Sequence, residues 1–493
     1  MRGVVRAMNL ASILLAHATA RPDHPAILEA EVTLGHAAAA DRIARYAGQL
    51  ARHGVKAGDR VGLALRDTAD HLLLHYAVAW LGATIVPVDH RWTVPEKTSV
   101  ISAFACRCVV LEPDDAAAAQ LPGVIFDAGW RDDTPIASAP VDDETLPVML
   151  SLSSGTTGRP SGSLVSHREL YERWIGQWVG IGFNGADRYL AATPLYFGAG
   201  RSFGMSFLAA GATVVFAPPR STPEQLIDTA RTQRIAAMFL VPTQIRGLLD
   251  VWRGDGPALP GVRALVTTGS AVAPHERRQI LERLTPGFID YYGTSEAGGI
   301  SVLAAHEQLR FPDTVGRPAF RVEIEIVDED GRRLPDGEVG RRRYRGPGVS
   351  RLHVDADGGT STSPDGWHYP GDLARYLSSG HVQLAGRARD LIIRGGANIY
   401  PAEIEAALRT HPAVAEASVF GLEDRRLGEM IAAAIVRRPG AALDAAGALE
   451  FLGKSLARYK LPERIAFVAE LPRNTSGKVV RAALAKLLDN AGP

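Results

Sequence analysis

Cysteine is almost missing from this chain: 493 residues contain only Cys106 and Cys108, both in the apolar run CRCVVL. Two thiols exclude a disulfide-stapled fold. No His or Cys partner at metal-ligand spacing accompanies them, so they read as buried structural thiols sharing one face of a strand. An excess of charge is also lacking, because Lys plus Arg and Asp plus Glu both number 54. That balance excludes the basic footprint of a nucleic-acid binder or of a protein drawn to an acidic membrane surface. No uninterrupted apolar run reaches membrane-spanning length. The longest, LLLHYAVAWLGATIVPV, contains His75, Gly82 and Pro87 and reads as a buried helix leading into a strand. Internal repeats, low-complexity segments and the G-x-x-x-x-G-K-[ST] phosphate loop are absent too. What remains is an ordinary globular composition, 46% hydrophobic and 22% charged, long enough for roughly two to four packed units.

Near the N-terminus, MNLASILLAHATA (residues 8–20) has the outline of an export signal, with basic residues before it and an A-x-A end. Its apolar core is short and interrupted by Asn9, Ser12 and His17, while Leu10, Ile13, Leu14 and His17 recur at helical spacing. A surface helix stopped at Arg21-Pro22 is expected, in a cytoplasmic protein. Through the first three hundred residues, strand-like runs such as RVGLAL, TIVPVD, ATVVFAP, AAMFLVP and RALVTTG alternate with helical patterns. That rhythm predicts parallel α/β layers. From about Val315 to Leu384 the pattern changes to short strands and turns, β-rich and barrel-like or meander-like. After Gly386 a short α+β unit follows, with EIEAALRTHPAVAEASVFGL and AAGALEFLGKSL.

The segment SSGTTGRPSG (residues 153–162) follows the strand-like LPVMLSL and is dense in glycine and hydroxyl residues. Without bulky side chains, its backbone N–H groups and hydroxyls can wrap a polyphosphate, although such a stretch alone also fits a flexible turn. Four further segments follow in order: YYGTSEAGG (291–299), GWHYPGDL (366–373), GRARDLIIRGGANIYPAEIE (386–405) and NTSGKVVR (474–481).

Together these five segments resemble the adenylate-forming enzymes, a superfamily of acyl-CoA synthetases, peptide-synthetase adenylation domains and firefly luciferase. The resemblance runs from about residue 10 to about residue 487 and is strongest to AMP-forming acyl-CoA synthetases. It implies an α/β fold with a large N-terminal domain over residues 1–389, made of two layered α/β subdomains and a β-rich, barrel-like one. A small mobile α+β C-terminal domain over residues 390–493 completes it. It also implies a reaction in two halves. A carboxylate attacks the α-phosphate of ATP, with Mg2+, to give an acyl-adenylate and pyrophosphate; the thiol of coenzyme A then displaces AMP. Two alternatives stand beside this one: loading of a carrier-protein thiol, and a non-catalytic nucleotide-binding relative.

Carried onto this chain, the resemblance assigns Ser154, Gly155, Thr156, Thr157 and Gly158 to the β- and γ-phosphates. Glu296 becomes the magnesium ligand, a hard oxygen donor suited to that cation. Ser295 stands where threonine is usual and keeps a hydroxyl for the α-phosphate. Tyr292 stacks on adenine against the turn Gly269-Ser270-Ala271, although plain strand packing fits Tyr291 and Tyr292 equally. Asp372 accepts the ribose hydroxyls, with proline at 370 in place of threonine, and Arg387 is the second ribose ligand; an exposed loop charge is the bland reading of each. Lys478 becomes the mobile cation that neutralises the carboxylate and the α-phosphate as they meet. Asp390 is the pivot of a domain rotation that brings Gly395 and Gly396 to the thiol channel, where a plain glycine turn is the simpler reading.

The acid pocket falls to TPLYFGAGRSFG (residues 193–204), with Tyr196, Phe197 and Phe203 as an apolar or aromatic lining and Gly293 leaving room at its floor. Phe197 replaces a common histidine. Arg201 is either a partner for a second substrate carboxylate or an ordinary solvated or salt-bridged arginine. A medium-sized monocarboxylic acid, aliphatic or aromatic, is expected. One departure from the family pattern concerns the phosphate loop, where Ser161 takes the place of a lysine and weaker ATP binding is expected.

Overall fold

The structure, a computed structural model, describes residues 8–115, 117, 120–153, 160–354, 359–363, 365–387, 390–394, 397–424, 427–473 and 479–489. By packing, the chain divides into two compact units. The first takes Met1–Pro312, Gly316–Glu323 and Arg345–His368; the second takes Asp313–Val315, Ile324–Tyr344 and Tyr369–Pro493.

Among the described residues the first unit holds a nine-stranded and an eight-stranded sheet. In the nine-stranded sheet the strands Pro25–Glu29, Thr213–Phe216, Arg188–Ala191, Ala237–Phe239, Ala264–Thr267 and Phe288–Thr294 run parallel as neighbours. Antiparallel strands close its two edges. The eight-stranded sheet is parallel through Arg60–Ala64, Thr84–Pro87 and Pro147–Ser153, then antiparallel through Ser161–Ser166 and Leu352–Val354. The alternation of strand and helical patterns thus became layered α/β structure, as expected.

The helix Ala69–Trp80 shows why its sequence lacks a polar face. All of its residues are buried, and it touches both Pro25–Glu29 of one sheet and Thr84–Pro87 of the other. It leads into Thr84–Pro87, the helix-to-strand passage read from the sequence. Burial drives the ring of His71 down to about 3 and lowers that of His75 as well, so both are neutral inside the layer. The N-terminal segment forms the helix Leu10–Ala20. Asn9 caps it through its side chain and anchors it to the Ala79 carbonyl at 2.7 Å, and Leu10, Ala11 and Leu14 turn inward. Among the described residues no helix is long and apolar enough to cross a membrane.

Cys108 is buried on the strand Cys108–Leu111, but Cys106 lies before that strand and is half-buried. The expected shared face is therefore not formed, because the strand begins only at Cys108. Burial pushes both thiols up, Cys106 to about 12 and Cys108 to about 11, so neither is a thiolate at neutral pH.

In the second unit the β-rich stretch forms a four-stranded sheet in chain order: Glu323–Val327, Gly340–Arg345, Asp372–Tyr376, Val382–Arg387. The C-terminal α+β segment folds around the long antiparallel pair Val414–Asp424 and Gly428–Arg437. Ile404, Leu408, Val419, Ile431, Ile435 and Leu452 form its core against the helices Pro401–Arg409 and Ala445–Gly453.

Candidate active site

Open parallel sheets place ligands beyond the carboxyl ends of their strands, and the candidate residues of the first unit gather there. The strand Ala264–Thr267 ends in the turn Gly269-Ser270-Ala271, whose residues are exposed. Gly269 has φ +99° and open space where a Cβ would stand, which leaves the turn accessible to a flat ligand. On the adjacent strand Phe288–Thr294, Tyr292 lies just past the register point where Asp290 faces Thr267, and its side chain is half-buried. Tyr291, for which strand packing was the plain reading, is a core residue packed edge-on against Phe203 at 5.7 Å.

Strand Phe288–Thr294 turns back into Gly298–Leu303, with a bulge between Tyr292 and Gly293. A Cβ on Gly293 would lie 2.3 Å from the Gly298 carbonyl oxygen. The glycine is therefore required by the hairpin's own backbone. The hairpin presents Ser295 and Glu296. The Ser295 hydroxyl donates to the Leu152 carbonyl at 3.3 Å, near the end of the strand Pro147–Ser153, which precedes the segment expected to hold the phosphates. Arg173, on the helix His167–Ile181, donates to the carbonyls of Ser295 and Glu296 and, at 2.8 Å, to that of Gly348. The Ser350 N–H adds a bond of 2.7 Å to the Glu296 carbonyl. The Glu296 main chain is thus pinned, while its side chain is about 20% exposed and its Oε2 lies 4.0 Å from His368 Nε2.

The loop assigned to the acid is pinned as well. The Leu195 N–H donates to Asp67 at 2.6 Å, and the Thr193 hydroxyl donates to the Phe239 carbonyl at 2.9 Å. Arg91, held by Asp89, donates to the Tyr196 hydroxyl at 3.0 Å. Phe197 is half-buried at the start of the helix Gly198–Ala209. Arg201 fits neither solvated nor salt-bridged expectation, for it is only 1% exposed. Its Nη1 donates to the carbonyls of Leu195 and Tyr196, each at 3.0 Å, and its Nε approaches the Met149 sulfur at 3.0 Å. Burial alone lowers its pKa, to about 10, so it remains a cation at neutral pH. Phe203 stacks on Phe239 in the core at 5.3 Å, which removes it from the expected pocket lining.

In the second unit, Asp372 is 7% exposed and opens the strand Asp372–Tyr376, so it is no exposed loop charge. Arg342, fully buried, donates to its Oδ2 at 2.7 Å; Arg387, opposite it in the ladder, lies 3.4 Å from Oδ1. Asp390 is bonded by Arg481, which also reaches Glu405 at 2.9 Å. Residues 154–158, Gly395, Gly396 and Lys478 lie outside the described residues.

Two arginines escaped the sequence reading. Arg173 bonds residues more than 120 positions away, and Arg342 sits in GRRRYRG, where nothing separates it from its charged neighbours. Each unit offers a carboxylate held in place, Glu296 with part of its surface open and Asp372 between guanidiniums, and the first adds a hydroxyl and an open glycine turn.

The family described as AMP-binding enzyme matches residues 14–352, and the AMP-binding enzyme C-terminal domain matches residues 403–478. An indoleacetate–CoA ligase of Aromatoleum aromaticum is 31% identical to this chain, with 96% of each covered. A feruloyl-CoA synthase of Amycolatopsis sp is 30% identical, with 97% of this chain and 98% of the relative covered. The ATP-bound crystal structure of MatB from Rhodopseudomonas palustris superposes with a TM-score of 0.88 at 26% identity, covering 98% of this chain and 99% of that one.

Proposed function

We propose, from the premise that this chain belongs to the AMP-binding enzyme family, that this ATP-, Mg2+- and CoA-dependent carboxylate–CoA ligase acts on an aromatic monocarboxylic acid. The half-buried aromatic pair Tyr196 and Phe197 on a pinned loop supports an aromatic acid, as do relatives named for indoleacetate and ferulate. The observation that carries the reading of the site is the Ser295–Glu296 hairpin. Its main chain is fixed by Arg173 and Ser350, and its serine bonds the end of the strand that enters the phosphate loop.

In this reading Ser154 to Gly158 hold the β- and γ-phosphates, Tyr292 and the turn Gly269-Ser270-Ala271 hold adenine, and Asp372 with Arg387 holds the ribose. Glu296 ligates magnesium, which when bound neutralises phosphate charge. The acid's carboxylate oxygen bonds to the α-phosphorus as pyrophosphate leaves. Lys478 neutralises the two anions as they meet, a contribution confined to this half-reaction. The CoA sulfur then bonds to the acyl carbon and AMP departs. The functional division falls between residues 1–389 and 390–493, with Asp390 as pivot and Gly395 and Gly396 lining the thiol channel. The setting is cytoplasmic, where ATP and CoA are supplied together.

Acid-dependent ATP–pyrophosphate exchange over a panel of aryl and alkyl carboxylic acids, followed by thioester assays with CoA and with a carrier protein, tests this. Aryl acids and CoA should lead; a preference for alkyl acids or for the carrier thiol would replace the reading. Lys478→Ala should lower exchange by about 100- to 1,000-fold while sparing thioester formation from supplied acyl-adenylate.

A further inference from the structure

The mechanism leaves unused a line of polar side chains that runs through the first unit to Glu296. On the strand Ser161–Ser166, Ser163 is 1% exposed, and its hydroxyl lies 2.9 Å from Nδ1 of His353. His353 stands directly opposite it on Leu352–Val354. The His353 ring stacks on that of His368, with centroids 5.4 Å apart and planes 26° from parallel. His368 Nε2 in turn lies 4.0 Å from Glu296 Oε2, and the side chains of both are largely buried. The segment carrying His353 also holds the other end of Glu296, since the Ser350 N–H bonds the glutamate's carbonyl.

With its main chain pinned by Arg173 and Ser350, Glu296 retains only the rotation of its own side chain. A carboxylate that binds a metal is effective when a neighbour restricts that rotation, because the ordering is then complete before the cation arrives. We propose that His368, backed by the His353 ring and the Ser163 hydroxyl, is a positioning residue that orients the Glu296 carboxylate for the divalent cation. The inference rests on the reading of Glu296 as the magnesium ligand.

Equilibrium binding of ATP and of AMP, measured as magnesium is titrated without acid or CoA, tests the inference. In His368→Leu the magnesium concentration that half-saturates ATP binding should rise about 10- to 100-fold, while AMP affinity and thermal stability stay near those of the parent. His368→Asn, which keeps a polar side chain, should recover much of the shift. His353→Phe, which keeps a stacking ring but loses the Ser163 bond, should move in the same direction by less. An unchanged magnesium dependence in His368→Leu overturns the proposal. So does an equal loss of AMP and ATP affinity, which marks a packing role. Glu296→Gln separates the two layers of the argument. If it alone raises the magnesium requirement, only the histidine line is wrong; if it too leaves the requirement unchanged, Glu296 is not the ligand and both readings fall.

Discussion

Arg201 in the first unit and Asp372 in the second are both buried charges, yet the two are satisfied in opposite ways. Asp372 is an anion flanked by two guanidiniums, one of them fully buried. Arg201 is a cation met by two backbone carbonyls and a thioether, with no acidic partner among the described residues. An ion pair protects each charge from desolvation through the other, so removing one member strands its partner. Carbonyl dipoles compensate a charge more weakly, but they fix a specific stretch of backbone in return. The contrast separates a charge balanced by opposite charge from one that fixes the backbone of a loop.

The largest effect should come from breaking the ion pair. Asp372→Leu leaves Arg342 without that carboxylate and should cost about 3–5 kcal/mol of stability by denaturant unfolding. Adding Arg342→Met should recover part of that stability by removing the stranded charge, while ATP affinity stays lost. Recovery of nucleotide binding in the double variant would show that Asp372 serves only the fold.

Arg201→Met, a change of similar bulk, removes a charge without stranding an opposite one. It leaves two carbonyls short of a donor, a loss of about 1–3 kcal/mol for each that stays dry. The KM for the acid should rise while the affinity for ATP holds, since the contacts end at Leu195 and Tyr196. Equal losses for both substrates would place Arg201 in general packing rather than in the acid loop.

The smallest effect sharpens the comparison through pH. His71 is held neutral in the folded state at a pKa of about 3, below its ordinary value of 6.5. The unfolded chain therefore binds the extra proton first. This contribution to stability is complete above about pH 6.5 and drains away as pH falls from there toward about 3. By pH 5 the loss should reach about 2 kcal/mol for His71. His71→Gln should flatten that slope in unfolding midpoints measured between pH 7.5 and 5. A slope identical to the parent's would mean that the ring is already charged when folded.

The elements themselves were readable because their signals are local. The wholly buried helix Ala69–Trp80, the capped helix Leu10–Ala20 and the parallel strands all follow from periodicity within a dozen or so residues. Tyr292, Glu296 and Asp372 were singled out by their motifs. The surroundings of those residues were not. Arg173 reaches Ser295, Arg342 reaches Asp372, and His353 reaches Ser163 across 190 positions, and nothing in the local pattern distinguishes them.

By itself, the sequence determined the alternation of strands and helices, the order of the five motifs and, through them, the chemical types available to a nucleotide and an acid. Tertiary structure alone decided which charges are compensated and how. It turned Phe203 into core, made Gly293 a requirement of its hairpin, held Arg201 with carbonyls and lined up His353 with His368 behind Glu296. The physical reason is range. Backbone preference acts over a turn or two, whereas desolvation and hydrogen-bond satisfaction depend on whatever the fold brings within about 4 Å, however distant in the chain.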